Sequence, residues 1–430
     1  MKKIFILIPI VTLSFTIADA QVNDELNKII LQSFQYNPRL RELDKATEIS
    51  EVRVDVAASN YLPAVTGTAS YNYINPLSQT TIPIGPTETK TLLFQPHNNI
   101  NVNVGVSQNI WDFGKTKAQI EKAKADLLVS KQNSESAKIL LASQVTGIYY
   151  SLIYLRNAMQ VQDTLIAFYE KNKSVIEGRA KQGDALNVDV MNMANTIDQE
   201  KIRKTDFERQ YNRQLALLMY SAGTSTEPTI NEFDFTYVKN EFDAQSNPDV
   251  IAADYRIESS LADSRYVQRN RLPSLTLAAN AGEKNGYQPD LNEMRFNYLA
   301  GVTLSVPIFQ GNRLKYNLAI AQKSVELNQI TKTNLSNTVL KDWQSALADL
   351  KAYQEQINNT ESQLSAGREA LRLTQVRYYR GVATYLDLVF ASANLQRAQL
   401  SQLQYKYQAT LAMTELLRLQ GTKFWQDESK

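Results

Sequence analysis

Apolar and polar residues alternate with a period of two in four short stretches of this 430-residue chain. The clearest runs from Asn99 to Ile110. Ile100, Val102, Val104 and Val106 fall on one face, and Asn99, Asn101, Asn103 and Ser107 on the other. That period belongs to a β-strand, whose successive side chains point to opposite faces. The same pattern predicts strands at about 64–73, 274–281 and 296–308. Val65, Ala69, Tyr71 and Tyr73 oppose Thr66, Thr68, Ser70 and Asn72. Leu275, Leu277, Ala279 and Ala281 oppose Ser274, Thr276 and Asn280. Phe296, Tyr298, Val302, Leu304 and Val306 oppose Asn297, Thr303 and Ser305. About ten residues is the length a tilted strand needs to cross a bilayer.

Most of the remaining chain reads as helix. No proline lies between Pro96 and Pro228, or after Pro307. Lys115 to about Glu177 predicts one helix of about 60 residues, or about 90 Å at 1.5 Å per residue. A partner returns from about Leu186 to Met219, and the pattern recurs from about Arg313 to Ser365 and from Leu386 to Leu419. Leu386, Val389, Ala393, Leu400, Leu403 and Tyr407 form a heptad-like seam. The other faces carry Gln, Asn, Ser and Lys, so each hairpin needs neighbouring hairpins to pack against.

Landmarks repeat along the chain. Asn37-Pro38 recurs as Asn247-Pro248 and Leu62-Pro63 as Leu272-Pro273, at one constant offset; Gly114 pairs with Gly311 and Gly183 with Gly381 at smaller offsets that differ from each other by a single residue. The difference is taken up by Ile74 to Pro96, whose four prolines predict a surface loop. The chain therefore divides into a first repeat (21–220), a linker (221–246), a second repeat (247–421) and a tail (422–430). Each repeat runs helix, strand, loop, strand, long helix, tip, long helix.

Residues 1–20 have the form of a secretory signal peptide: Lys2-Lys3, an apolar run from Ile4 to Ile17, then Ala18-Asp19-Ala20. No other apolar stretch approaches the roughly 18 residues of a transmembrane helix. An exported chain of this kind enters a membrane only as β-structure. A soluble sandwich with one wet face gives similar alternation, but two isolated strand pairs are too few for one. Four strands also cannot close a membrane barrel, whose minimum is about eight, so a barrel must be shared between subunits. The fold expected is an α+β membrane protein with an internal tandem repeat.

Composition narrows the chemistry. Cysteine is absent and His97 is the single histidine, which excludes thiolate sites, disulfides and multi-histidine metal clusters. Net charge is +2 with both signs interleaved, so no nucleic-acid partner is expected. No phosphate-binding glycine loop and no ligand-like carboxylate spacing occur, so neither cofactor nor metal is expected, nor is the chain an enzyme. Its tips and strand–helix junctions carry the motifs instead. A structural coiled-coil protein of the envelope is the alternative, and it would lack the paired amphipathic strands.

Ser107-Gln108-Asn109-Ile110-Trp111-Asp112-Phe113-Gly114 and Ser305-Val306-Pro307-Ile308-Phe309-Gln310-Gly311-Asn312-Arg313 resemble the strand-to-helix junctions of TolC-like outer-membrane efflux proteins. Arg179-x-x-x-Gly183 followed by Asp189, and Arg377-x-x-x-Gly381 followed by Asp387, resemble that family's helical tips. The resemblance covers about Asn37 to Gly421. It implies a homotrimer giving four strands per chain to one twelve-stranded barrel in the outer membrane, continued by a coiled-coil tunnel across the periplasm. It also implies a periplasmic adaptor and an inner-membrane transporter as partners, for efflux or type I secretion.

By that resemblance Arg179, Gly183, Ala185, Arg377, Gly381 and Ala383 form the tips that receive the adaptor. Asp189, Asp387, Tyr378 and Phe390 belong to the periplasmic gate. Phe390 stands where some family members carry a second Asp, and Ala383 where some carry Arg. Gly114, Pro307 and Gly311 mark the strand–helix junctions. Tyr71, Tyr73, Phe296 and Tyr298 cluster at strand ends, where an aromatic girdle meets the membrane interface and its lipid.

Overall fold

The computed structural model describes residues 23–236 and 242–426. The expected signal peptide and the end of the tail lie outside the described residues. Two compact units emerge, one comprising Asp44–Gln132 with Ala252–Thr333, the other the described residues of 23–43, 133–251 and 334–426.

The first unit holds a four-stranded antiparallel sheet of β1 (Ala64–Tyr73), β4 (Asn98–Trp111), β5 (Ser274–Lys284) and β6 (Arg295–Ser305), in the order β1-β4-β5-β6. Val65 pairs with Val106 and Tyr71 with Ile100, and Val106 pairs in turn with Ala279. The apolar residues of neighbouring strands therefore share one face. A bulge between Asn109 and Trp111 shifts the register near the end of β4, a device that turns a strand end. β5 continues past Ala281 to Lys284, because Gly282 to Lys284 pair with β4 on one side and β6 on the other. β6 stops at Ser305 rather than running to 308, since Pro307 has no N–H to donate to a ladder.

Ile74 to Pro96 is not only a loop. It carries a second hairpin, β2 (Gln79–Pro83) and β3 (Thr89–Leu93), with Thr81 opposite Thr91. Pro83 ends β2 and Ile84 N–H bonds to the Glu88 carbonyl across the turn. Proline is tolerated at such a strand end, so a proline-rich stretch concealed a pair of strands.

Helices α1 (Asp24–Tyr36), α2 (Pro38–Ser59), α3 (Lys115–Gln182), α4 (Asn187–Ala222), α5 (Pro248–Arg269), α6 (Arg313–Tyr379) and α7 (Tyr385–Gln420) account for most of the chain. α3 is 68 residues long and α6 is 67, longer than the patterns at 115–177 and 313–365 suggested. Proline at the first position of α2 and α5 follows from its fixed φ and missing donor. Asn37 and Asn247 precede these prolines, and each side-chain oxygen accepts a backbone N–H two residues on, from Arg39 at 3.0 Å and Asp249 at 3.0 Å.

The core of the second unit gathers around Tyr149, Tyr150, Leu152 and Ile153 of α3, all fully buried. Distant segments complete it. The Tyr150 hydroxyl donates to Asp234 at 2.6 Å, and the Tyr149 hydroxyl to Glu25 at 3.0 Å. Burial and the neighbouring carboxylate push both phenols well above their ordinary range. Phe235 meets Tyr150 edge-on, Phe424 meets Phe235, and Trp425 meets Phe34. The beginning of the tail (422–426) is thus part of a core.

Candidate functional site: the helical tips

α3 ends where Gly183 takes φ +84°, and α6 where Gly381 takes φ +77°. Gly183 N–H bonds to the Ala180 carbonyl and Asp184 N–H to that of Arg179, at 3.2 and 2.9 Å; Gly381 to Tyr378 and Val382 to Arg377 repeat this at 3.0 and 2.9 Å. These bonds satisfy helix-end carbonyls through a left-handed residue, which glycine adopts without a Cβ penalty. A side chain at either glycine would find no heavy atom within 4 Å of its Cβ. Backbone conformation selects glycine here, and the space above it is open.

Each return helix then starts on an aspartate. In α7 the Asp387 carboxylate accepts from both the N–H and the hydroxyl of Thr384 at 2.8 Å, while Asp387 N–H donates to Thr384 Oγ1 at 3.2 Å. This reciprocal box satisfies two orphan helix-end donors. Hydrogen bonds from Thr384 hold the Asp387 carboxyl below the usual carboxylate range. α4 has the weaker version: Leu186 N–H reaches Asp189 at 3.4 Å, and leucine offers no side-chain acceptor in return. Asp387 is exposed and Asp189 half-buried.

The two tips share one core of Leu165, Ile166, Tyr169, Ile176, Met193, Ile197, Tyr378 and Leu388, with Ala185 and Ala383 packed against it. Tyr378 is only 4 % exposed, so its ring builds the tip. Arg179 lies 4.8 Å from the centre of that ring and donates to the carbonyls of Tyr378 and Tyr379, both at 3.2 Å. Asn192 donates to the Tyr385 hydroxyl at 3.0 Å. Arg377 is exposed.

Phe390 is 69 % exposed, and sequence reasoning missed its company: Leu186, Val188, Met191, Val382 and Leu386 are exposed as well. Leu386 and Phe390, four residues apart, lie on one helical face, which was a readable signal. The Thr384-x-x-Asp387 capping pattern was readable too.

Further along the hairpins lies a buried polar cluster for which no sequence signal exists. Gln162 of α3 donates to the Glu200 carbonyl at 3.1 Å and to its carboxylate. Gln396 of α7 donates to Gln162 Oε1 at 2.7 Å and to Glu200 Oε2 at 3.1 Å, and Arg203 donates to Glu200 Oε1 at 2.8 Å. Three helices are joined through one carboxylate.

In the sheet unit, Gly114 and Gly311 have φ +82° and +58°. The Asp112 carboxylate accepts from Gly114 N–H at 3.0 Å and Thr116 N–H at 2.7 Å, starting α3. Pro307, Ile308 and Phe309 are outside any strand or helix, and both apolar side chains are exposed. Tyr71, Tyr73, Phe296 and Tyr298 are all exposed at the loop end of the sheet, with Tyr73 stacked on His97. Among the described residues no group of three or more His, Asp or Glu could hold a metal ion, and no helix is long and apolar enough to cross a membrane.

The sequence profile of the outer membrane efflux protein family matches residues 29–224 and 244–422. The probable efflux pump outer membrane protein TtgC of Pseudomonas putida is 22 % identical over 397 residues, covering 86 % of this chain and 80 % of that one. Cation efflux system protein CusC of Escherichia coli is 22 % identical over 310 residues, covering 69 % and 67 %. Among solved structures, CusC superposes with a TM-score of 0.78 at 17 % identity over 93 % of both chains. The outer membrane protein VceC of Vibrio cholerae does so with 0.76 at 18 % over 93 % of this chain and 97 % of that one.

Proposed function

The chain belongs to the outer membrane efflux protein family, and from that membership we propose that it is the outer-membrane channel of an efflux pump, a passive export duct. The observation that carries this reading is the sheet. It has one apolar face, exposed at Val102, Val104, Tyr298, Val302 and Leu304, and its two outer strands, β1 and β6, have no further neighbour among the described residues. In lipid every backbone N–H and C=O must be satisfied, so such edges close against other copies. Three copies would give a twelve-stranded barrel with apolar residues facing lipid and Asn, Ser and Thr facing the lumen. The two profile matches support the tandem repeat.

Long hairpins that bury a narrow stripe would then pack between copies as a periplasmic tunnel. The tips, with Arg179, Gly183, Ala185, Arg377, Gly381 and Ala383 beside the exposed apolar side chains, suit docking of an adaptor's helices, the adaptor linking the duct to an inner-membrane transporter that supplies the energy. Asp189 and Asp387 would ring the aperture, with Phe390 on the same helix as Asp387 and Tyr378 bracing the tip from inside.

Single-channel recording on the purified, detergent-extracted protein, with its mass measured alongside, tests this. A trimer giving discrete conductance steps is expected. A monomer without steps would leave the envelope coiled-coil reading in its place.

A further inference from the structure

The sheet register orders the polar face into rows. Ser70 pairs with Asn101, Asn101 with Lys284, and Lys284 with Arg295, so these four cross the sheet side by side near its loop end. The next row toward the helices is Thr68, Asn103, Gly282 and Asn297. Every other strand position on this face is uncharged, so its only charged row is cationic.

The two cations are not equivalent. Arg295 is occupied: Nε and a terminal nitrogen donate to Glu293 Oε2 at 3.0 and 2.7 Å, and the other donates to the Gln288 carbonyl at 2.9 Å. Lys284 has no ion pair among the described residues. Its neighbour Glu283 points to the opposite face, in the row of Val102 and Phe296.

Lys284 is also rigidly placed. A Cβ on Gly282 would lie 2.1 Å from the Val102 carbonyl oxygen, so β4 and β5 approach closely just before it. Just after it, buried Asn285 accepts from Ile100 N–H at 2.8 Å and donates to the Asn98 carbonyl at 2.7 Å. The lysine stands between a pinch and a bolt.

We propose that Lys284 forms a cationic collar near the loop end of the duct that retains multivalent anions. This rests on the reading that the polar face lines a pore shared between copies. Each copy then contributes one unpaired ammonium to the same level of the lumen, and the one other charge on the lumen-facing strand positions, Arg295, is held by Glu293. Screening lengths of about 8 Å at physiological salt confine the effect to ions passing that level. Multivalent anions gain in proportion to their charge.

The test is block of single-channel current by inorganic pyrophosphate, added to one chamber at a time at low and at high salt. Wild type should be blocked more strongly from one side, with block weakening at high salt. Lys284→Gln should require about fivefold more pyrophosphate for the same block, and Lys284→Arg should retain it, which separates loss of charge from misfolding. Equal block of wild type and Lys284→Gln overturns the collar while leaving the duct intact. Absence of conductance steps in wild type overturns the collar together with the pore it requires.

Discussion

Arg179 covers the ring of Tyr378 at 4.8 Å and caps the carbonyls of Tyr378 and Tyr379 from the neighbouring hairpin. One side chain thereby ties the last turn of α3 to the last turn of α6. Arg179→Ala removes a charged donor from two helix-end carbonyls and a cation from a ring face, contacts of about 1–2 kcal/mol in a half-exposed setting. The expected outcome is faster amide exchange in residues 376–382 with the rest of the protection pattern retained. Arg179→Lys, which lacks the planar fork, should give an intermediate rate. Exchange unchanged in both variants would show that the tip core alone holds α6.

The Asp387 box makes the start of α7 acid-sensitive. Its carboxyl is held below the usual range in the folded tip, so the stabilisation is complete above the unfolded-chain value and is lost as pH falls through the lower folded value. Amides of the first turn should exchange faster at that acidic end and be insensitive to pH near neutrality. Thr384→Ala should show the fast exchange already at neutral pH.

Charge and capping can be separated at the same residue. Asp387→Asn removes the charge but keeps an acceptor for the Thr384 N–H. If a ring of Asp387 side chains sets the passage of ions, cation preference should fall in planar bilayers while first-turn amide protection falls no further than acid takes it in wild type. An unchanged reversal potential would leave Asp387 as a helix cap only.

Gly381 offers a steric test of docking. With no heavy atom within 4 Å of a Cβ there, a side chain at Gly381 starts into open space, and Gly381→Trp costs the left-handed backbone, about 1–2 kcal/mol. The variant should reach the outer membrane as a folded trimer and yet fail in export, because an indole occupies the tip surface. Normal export by this variant would move the docking surface elsewhere.

Glu200 serves three helices at once. Glu200→Ala leaves one N–H of buried Gln162 and one of buried Gln396 without an acceptor, although Gln162 keeps the Glu200 carbonyl and Gln396 keeps Gln162 Oε1, a penalty of about 2–4 kcal/mol, whereas Glu200→Gln preserves an acceptor. Thermal unfolding in detergent should place the alanine variant well below the glutamine one. Coincident transitions would mean that water replaces the carboxylate.

Much of this architecture could be read from the residues. Period-two alternation located β1 and β4 because each has one apolar and one polar face. The long helices followed from proline-free stretches. Their ends at Gly183 and Gly381 followed from a conformation other residues resist. The hairpin of β2 and β3 escaped because its prolines mark turns and strand ends alike. The extension of β5 through Lys284 escaped because a charged pair interrupts the apolar pattern, although pairing on both sides carries the strand onward. The contacts of Arg179 and the Gln162–Glu200–Gln396 cluster join residues far apart in sequence, and no local pattern encodes such pairings. Sequence marked the tips as candidates, while burial separated Tyr378, which braces them, from Phe390 and Met191, which are exposed.

The core around Tyr149 and Tyr150 has a consequence for biogenesis. Its contributors come from α1, the middle of α3, the segment carrying Asp234 and Phe235, and Phe424 with Trp425. Contacts of such wide sequence separation form late, since a long loop must close before any of them rewards the chain. The helical unit therefore cannot be sealed until Trp425 has been synthesised and delivered. Until then the chain leaves exposed the aromatic side chains that the finished unit buries, which makes this core the last part of the helical unit to close.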